Sequence, residues 1–280
     1  MTMAPSGEEH HTPDRNGRSG AESGHAGWRE LVFWYPWVLP VLGLTLAVLG
    51  FRAFAAITEQ VYEHSALLTL DRELLERIAV LRDPTTVAVF NTITYLGDGI
   101  TLALVVLSVS VWLGFRARSW APPLLMLLSS AGTATVVFLV KIIIARPRPV
   151  PAPNAVTEDS FAFPSGHSAH SAAVYLMLAF LLVQHSGSPR RRWYGVGSLA
   201  VLLVLVTGFS RLVLGVHSPS DVLAGWMLGT SLTLLLISLC TLSHRLAPVR
   251  DRLVERARLR RGRQHPPSTG ADDTHHPPTG

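Results

Sequence analysis

Six apolar runs, each near the roughly 20 residues needed to cross a bilayer, constrain this chain more than any other feature. They cover residues 38–57, 99–115, 121–144, 166–184, 194–214 and 221–242. In hydrocarbon every backbone N–H and C=O must be satisfied internally, so the fold class these runs imply is all-α, a polytopic membrane protein. Composition agrees. Of 280 residues, 48% are hydrophobic and 15% charged, against about 25% charged in an ordinary soluble domain. The net charge of +5 gathers in a few arginine clusters with no aromatic-interleaved basic groove, so it reads as membrane topology, and no nucleic-acid partner is expected. Cys240 is the sole cysteine and lies in an apolar run, which rules out an intrachain disulfide and argues against a thiol metal site. The opening residues lack the apolar core of a cleavable signal peptide.

Residues 1–27 are rich in Gly, Ser, His and charge and are expected to form a disordered cytoplasmic tail. Residues 28–243 would form the six-helix membrane domain, and 244–280 a basic and then disordered cytoplasmic tail. His10-His11 and His275-His276 have no preorganised third ligand and read as flexible polar sequence. Between the first two spans, Leu67, Leu70, Leu74, Ile78 and Leu81 recur at helical spacing among Asp71, Arg72, Glu73, Glu76 and Arg77. This predicts a short amphipathic helix, either lying in the interface or packing on the bundle.

Arginines set the expected orientation. Arg116 and Arg118 follow the second span, Arg190 to Arg192 the fourth, and Arg245, Arg250, Arg252, Arg256, Arg258, Arg260, Arg261 and Arg263 the sixth. The positive-inside rule puts these loops and both termini in the cytoplasm. Trp34, Tyr35, Trp37, Trp112, Trp120, Trp193 and Tyr194 cluster at the same ends as an aromatic belt, and Arg52 is a misfit expected to snorkel. The end of the third span, the start of the fourth, the end of the fifth and the start of the sixth then share the outer face.

Those four ends carry the chemistry. Lys141, the one lysine among 24 basic residues, closes an apolar run where charge is costly, which marks a functional site. Pro147 disfavours helix at Arg146, so the helix should end near Ala145 and Arg148 should come from an extended loop. Arg211 closes the fifth span. Three cations from separate elements can surround a tetrahedral anion. Ser165-Gly166-His167 opens the fourth span, where a capped N-terminus and a close backbone make a phosphate cradle. Ser218, Pro219 and Asp221 suit the start of the sixth helix. Asp221, four residues after His217, can also orient that imidazole. A histidine nucleophile with an orienting carboxylate, a second histidine and a cationic pocket specify phosphoryl transfer through a phosphohistidine. Arg146 reads as an auxiliary phosphate contact, and His170 as helix packing.

Lys141 with six residues to Arg148-Pro149, then Pro164-Ser165-Gly166-His167, then Ser210-Arg211 with five residues to His217 and three to Asp221, resemble the three-part signature of the type 2 phosphatidic acid phosphatase superfamily. The similarity spans roughly residues 38–242 and neither tail. It implies His217 as nucleophile, Asp221 as its orienting partner and His167 as the proton donor to the leaving oxygen. Lys141, Arg148 and Arg211 would hold the phosphoryl oxygens, with Ser165 and the Gly166 amide completing the cradle. No metal or other cofactor is implied.

The function expected is an integral cell-membrane phosphatase hydrolysing a lipid phosphate or isoprenyl pyrophosphate, as an undecaprenyl pyrophosphate phosphatase would, at the outer membrane face. A glycerolipid phosphatase acting on phosphatidic acid or phosphatidylglycerophosphate is the near alternative. From other classes, an anion transporter would need charge through the membrane's depth, whereas the charges here sit at span ends. A non-catalytic lipid-binding scaffold would not require every catalytic position.

Overall fold

The computed structural model describes residues 37–63, 66–155, 158–185 and 190–264, with side chains described for all of these except 190–192 and 248–264. The N-terminal tail, both histidine pairs, Trp34, Tyr35 and the residues after 264 lie outside the described residues.

Among the described residues there are eight α-helices: α1 (Val38–Tyr62), α2 (Ala66–Ala79), α3 (Pro84–Ile93), α4 (Gly99–Ala117), α5 (Ala121–Ile144), α6 (Gly166–His185), α7 (Arg190–Val213) and α8 (Pro219–Gln264). A 3-10 turn at Thr94–Gly97 links α3 to α4. Six of them are long and apolar enough to cross a membrane: α1, α4, α5, α6, Trp193–Val213 of α7 and Pro219–Ala247 of α8. These coincide with the six apolar runs. Among the described residues there is no strand.

Local sequence explains the helix ends. Asp83 caps α3 by accepting from the N–H of Thr85 (2.9 Å) and Thr86 (3.2 Å), with Pro84 in the first turn. Asp98 caps α4 in the same way through Ile100 and Thr101. The leucine pattern predicts one helix in this connection, α2. The Asp83-Pro84 start signal marks the second, α3. α5 stops where Ala145 turns left-handed (φ 49°) and donates its N–H to Lys141 O at 2.9 Å. Pro147 follows, as the sequence leads one to expect. α8 runs unbroken to Gln264, so the domain boundary expected at 243/244 falls inside a helix.

α6 and α8 form the centre of the bundle; α1, α6 and α7 carry the largest packing faces with α8 or α6, and α4 and α5 flank α6. The crossing of α6 and α8 is close because both helices are small there. A Cβ on Gly229 would lie 2.2 Å from Ala169 O, and one on Gly225 would lie 2.6 Å from Ser165 O. This crossing fixes the start of α6 against the start of α8. Leu102, Leu113, Met126, Met177 and Leu181 fill the core between α4, α5 and α6. Within it Ser129 Oγ donates to Ala173 O at 3.1 Å. Large apolar side chains such as Leu39, Ile100, Phe115 and Ile143 face outward, as lipid-contacting positions should.

α2 is the expected amphipathic helix, and it both packs on the bundle and exposes part of its apolar stripe. Leu67 packs against the core, but Leu70 and Leu74 are exposed, and the buried side chain of the helix is Asp71. The helix thus meets the bundle through Leu67 and the Asp71 carboxylate, with Leu70 and Leu74 outward.

Candidate active site

The end of α5, the 145–165 connection, the start of α6 and the α7–α8 turn meet at one end of the bundle. Arg148 reaches back from its extended segment. Its Nη1 donates to Val216 O (2.9 Å) and lies 2.9 Å from His217 Nε2, while Nε donates to Ser160 O (2.6 Å). Lys141 Nζ and Arg148 Nη2 converge on Ser160 Oγ, at 3.2 and 2.9 Å, and Lys141 also donates to Phe161 O. Arg211, 1% exposed, sends Nη1 to Thr94 Oγ1 at 2.6 Å. The three predicted phosphate-binding cations are thus brought together.

Between the two arginines stands a residue that motif reading missed, Glu158. Its Oε2 is 2.6 Å from Arg148 Nη2, and its Oε1 pairs with Arg211 Nη2 and lies 3.7 Å from His167 Nδ1. Burial by itself would raise the pKa of this carboxyl, but Arg211, His167 and Arg148 outweigh it and hold the group at about 2. Glu158 and Asp159 are the only acidic residues between Lys141 and His167, and that was the available signal.

His217 is fully buried in the α7–α8 turn. Arg82 steadies this turn by donating to Val213 O (2.8 Å) and Leu212 O (3.2 Å), carbonyls at the end of α7. His217 Nδ1 faces Asp221 Oδ2 at 3.5 Å, which leaves Nε2 turned toward the cations. Burial, and then Arg148 and Arg211, push the imidazole well below the ordinary histidine pKa, which favours the neutral ring, whose Nε2 lone pair accepts from Arg148 Nη1. Asp221 also accepts from Ser218 N at 2.8 Å, the capping arrangement expected at the start of α8.

Ser165 caps α6, its hydroxyl accepting from Ser168 N (3.4 Å) and Ser168 Oγ (3.0 Å). Gly166 and His167 follow in the first turn. His170 Nδ1 is bound to Gly166 O within its own helix at 2.8 Å, consistent with packing. Arg146 differs from its expected role as a phosphate contact: Nη1 binds Asp221 Oδ1 (2.6 Å) and Ser220 Oγ (2.7 Å), and Nη2 binds Asp71 Oδ2 (2.9 Å). Its donors face the back of the site. Thr94, Ser160 and Asp71 carried no motif and were also missed.

Beside Arg148 a cavity of about 580 Å³ opens between α2 and the 146–150 segment, lined by Val61, Leu68, Arg72, Leu75 and Pro149 among others. Its lining combines apolar residues with the charges of Asp71, Arg72, Glu76, Arg82, Arg146 and Arg148.

Residues 122–244 match the PAP2 superfamily. Phosphatidylglycerophosphatase B of Bacillus subtilis is 34% identical over 165 residues, which are 59% of this chain and 80% of that protein. The crystal structure of a transmembrane PAP2-type phosphatidylglycerolphosphate phosphatase from Bacillus subtilis aligns with a TM-score of 0.65 at 31% identity, covering 69% of this chain and 94% of that one. Undecaprenyl-diphosphatase of Sulfolobus acidocaldarius is 32% identical over 81 residues, 28% of this chain and 34% of that protein. The chain belongs to the PAP2 superfamily of phosphatases. It is a multi-pass membrane protein of a phosphatase family.

Proposed function

We propose that this protein hydrolyses a lipid phosphate through a phosphohistidine on His217, with no metal, at the extracytoplasmic face. The observation that carries the reading is the clamped Glu158 carboxylate. Arg148 and Arg211 hold a bidentate anion between His217 Nε2 and His167, so the pocket is built to bind a planar or tetrahedral oxyanion. Arg211 Nε is buried without an acceptor among the described residues, which a third oxygen would supply. Displacing Glu158 puts the phosphoryl group in its place, with Lys141, Ser165 and the Gly166 N–H around it.

His217 Nε2 then attacks phosphorus in line with the scissile P–O bond. As that bond breaks, His167 gives its proton to the departing lipid oxygen. The Nδ1–H of His217 stays in place, directed at Asp221, whose negative charge stabilises the phosphorylated ring. Water next attacks phosphorus, His167 takes its proton, the N–P bond breaks and inorganic phosphate leaves. The cations stabilise charge that grows on the phosphoryl oxygens in both steps.

The cavity between α2 and the 146–150 segment supports lateral entry of a membrane lipid. Glycerolipid phosphates are favoured, because the relative named phosphatidylglycerophosphatase B aligns over four-fifths of its length. Polyprenyl pyrophosphates form the second reading, supported by the shorter match to undecaprenyl-diphosphatase. The test is phosphate release by detergent-purified protein in excess EDTA, with phosphatidylglycerophosphate, phosphatidic acid and a polyprenyl pyrophosphate offered side by side. Release is expected from the wild-type protein and not from His217→Ala. Hydrolysis that survives in His217→Ala, or that needs a divalent cation, overturns the mechanism.

A further inference from the structure

α2 lies outside the residues that match the family, yet it supplies a buried charge next to the proposed nucleophile's partner. Asp71 is 3% exposed, the one buried residue of a helix whose Leu70 and Leu74 face outward. Its Oδ1 accepts from Ser220 N at 2.9 Å, and its Oδ2 accepts from Ser220 Oγ (2.5 Å) and Arg146 Nη2 (2.9 Å). Arg146 Nη1 in turn holds Asp221 Oδ1 at 2.6 Å, and Asp221 Oδ2 faces His217 at 3.5 Å. Hydrogen bonds therefore run from α2 to Asp221, whose Oδ2 stands 3.5 Å from an imidazole Nδ1 that makes no hydrogen bond among the described residues.

We propose that Asp71 is a positioning residue for the reaction at His217, acting through Arg146 on Asp221; this rests on the histidine mechanism above. Two physical effects support it. A guanidinium facing a single carboxylate prefers the bidentate, side-on pairing. If Arg146 took both oxygens of Asp221, Oδ2 would turn away from His217. Asp71 occupies the second arm of Arg146 and leaves one oxygen of Asp221 on the imidazole side. The second effect is charge. Asp71, Arg146 and Asp221 together carry one net negative charge, and it is available to the phosphorylated ring. Without Asp71 the buried sum is zero, and Asp221 offers little net field. Removing Arg146 alone sets two buried carboxylates against each other with no cation between them. Removing both charges of the outer pair leaves Asp221 as the single charge beside His217.

The alternative role for Asp71 is docking of α2 alone, and a double-mutant cycle separates the two. Wild type, Asp71→Asn, Arg146→Gln and the double variant are assayed on whichever lipid phosphate the wild-type protein turns over fastest, with His217→Ala as baseline. Each single change is expected to lower kcat about tenfold with KM within about twofold, and the double variant is expected to be no slower than the slower single variant. Losses that multiply in the double variant, or that appear in KM or thermal stability with kcat intact, overturn the proposal. If Asp71→Asn does not fold, Arg146→Lys asks the same question. It keeps the charge and loses the second donor arm, and an unchanged kcat there also overturns the proposal. Activity retained in His217→Ala would instead sink the histidine mechanism, so the two failures are distinguishable.

Discussion

Among the described residues, two amphipathic cavities of similar size lie at opposite ends of the bundle, and they differ in what fixes their charges. The one beside the active site measures about 580 Å³. The other, about 540 Å³, is lined by Arg116, His185, His244 and Arg245 over apolar residues such as Leu125 and Phe180. Both place arginines at helix ends. In the first, Arg148 and Arg146 are largely buried and each guanidinium is held by acceptors from separate segments. In the second, Arg116 and Arg245 are exposed. A cation at a helix end is thus an ordinary feature of a membrane protein. It becomes part of a site when several segments converge to strip its water and fix its direction, because only then does a charge act at low dielectric and without reorganisation.

The largest test of that contrast is Arg211→Gln. Removing the buried donor should lower kcat/KM by about a thousandfold, and Arg211→Lys should not restore it, since a point charge cannot reach both Thr94 and the anion. Initial rates of phosphate release check this, and near-normal activity in either variant would erase the distinction between the two ends. Next in size is Gly229→Leu, which forces α6 and α8 apart at the crossing that sets His167 against His217. Overpacking of this kind should destabilise the protein by about 1–3 kcal/mol, read as a lower Tm in detergent together with lost activity. If activity falls with Tm unchanged, the crossing matters for geometry more than for stability.

Glu158→Gln sharpens the comparison from the anion's side. With the internal carboxylate neutralised, orthovanadate, a five-coordinate phosphoryl mimic, should inhibit about tenfold more tightly. A higher inhibition constant would mean that Glu158 orients the arginines and does not compete with substrate. The pH profile is the fourth test. His217 is held well below the usual histidine range by burial, then by Arg148 and Arg211, against the opposing pull of Glu158. A folded pKa below the unfolded value means that its neutral form persists as pH falls through about 6.5. Therefore kcat/KM should show no loss of nucleophile until well below that pH. By the same sign, the stability this group contributes is present above about 6.5 and is lost on acidification below it. An acid limb centred on the ordinary value would show that the arginines do not act on the ring. The smallest effect belongs to the opposite end, where the double change Arg116→Gln/Arg245→Gln should alter kcat/KM by less than about twofold.

Much of the site was legible because its motifs are local. Lys141 and Arg148 are read from a helix end and a following proline, Ser165 to His167 from a helix start, and His217 to Asp221 from a turn and cap. Each expectation needs only neighbours in sequence, and the hydrogen bonds of Ser165, Asp221 and Ala145 are the local ones anticipated. Glu158, Thr94 and Asp71 were not legible for the opposite reason. Each finds its partner across a large sequence separation: Glu158 pairs with Arg211, Thr94 with Arg211, and Asp71 with Arg146 and Ser220. Periodicity found α2 but could not choose its face, because a leucine stripe predicts an apolar contact, and in a membrane protein lipid can be that contact.

From the sequence alone came the six spans, the helix ends and the family signature, because hydrophobic length, caps and proline placement act within a few residues of where they are written. Tertiary structure alone decided which face of α2 is buried, which carboxylate sits between the arginines, and that Arg148 faces His217 while Arg146 faces Asp221. Those choices depend on helices packed at one crossing distance, set at Gly225 and Gly229. Burial at that crossing makes an unpaired charge too costly to leave without a partner.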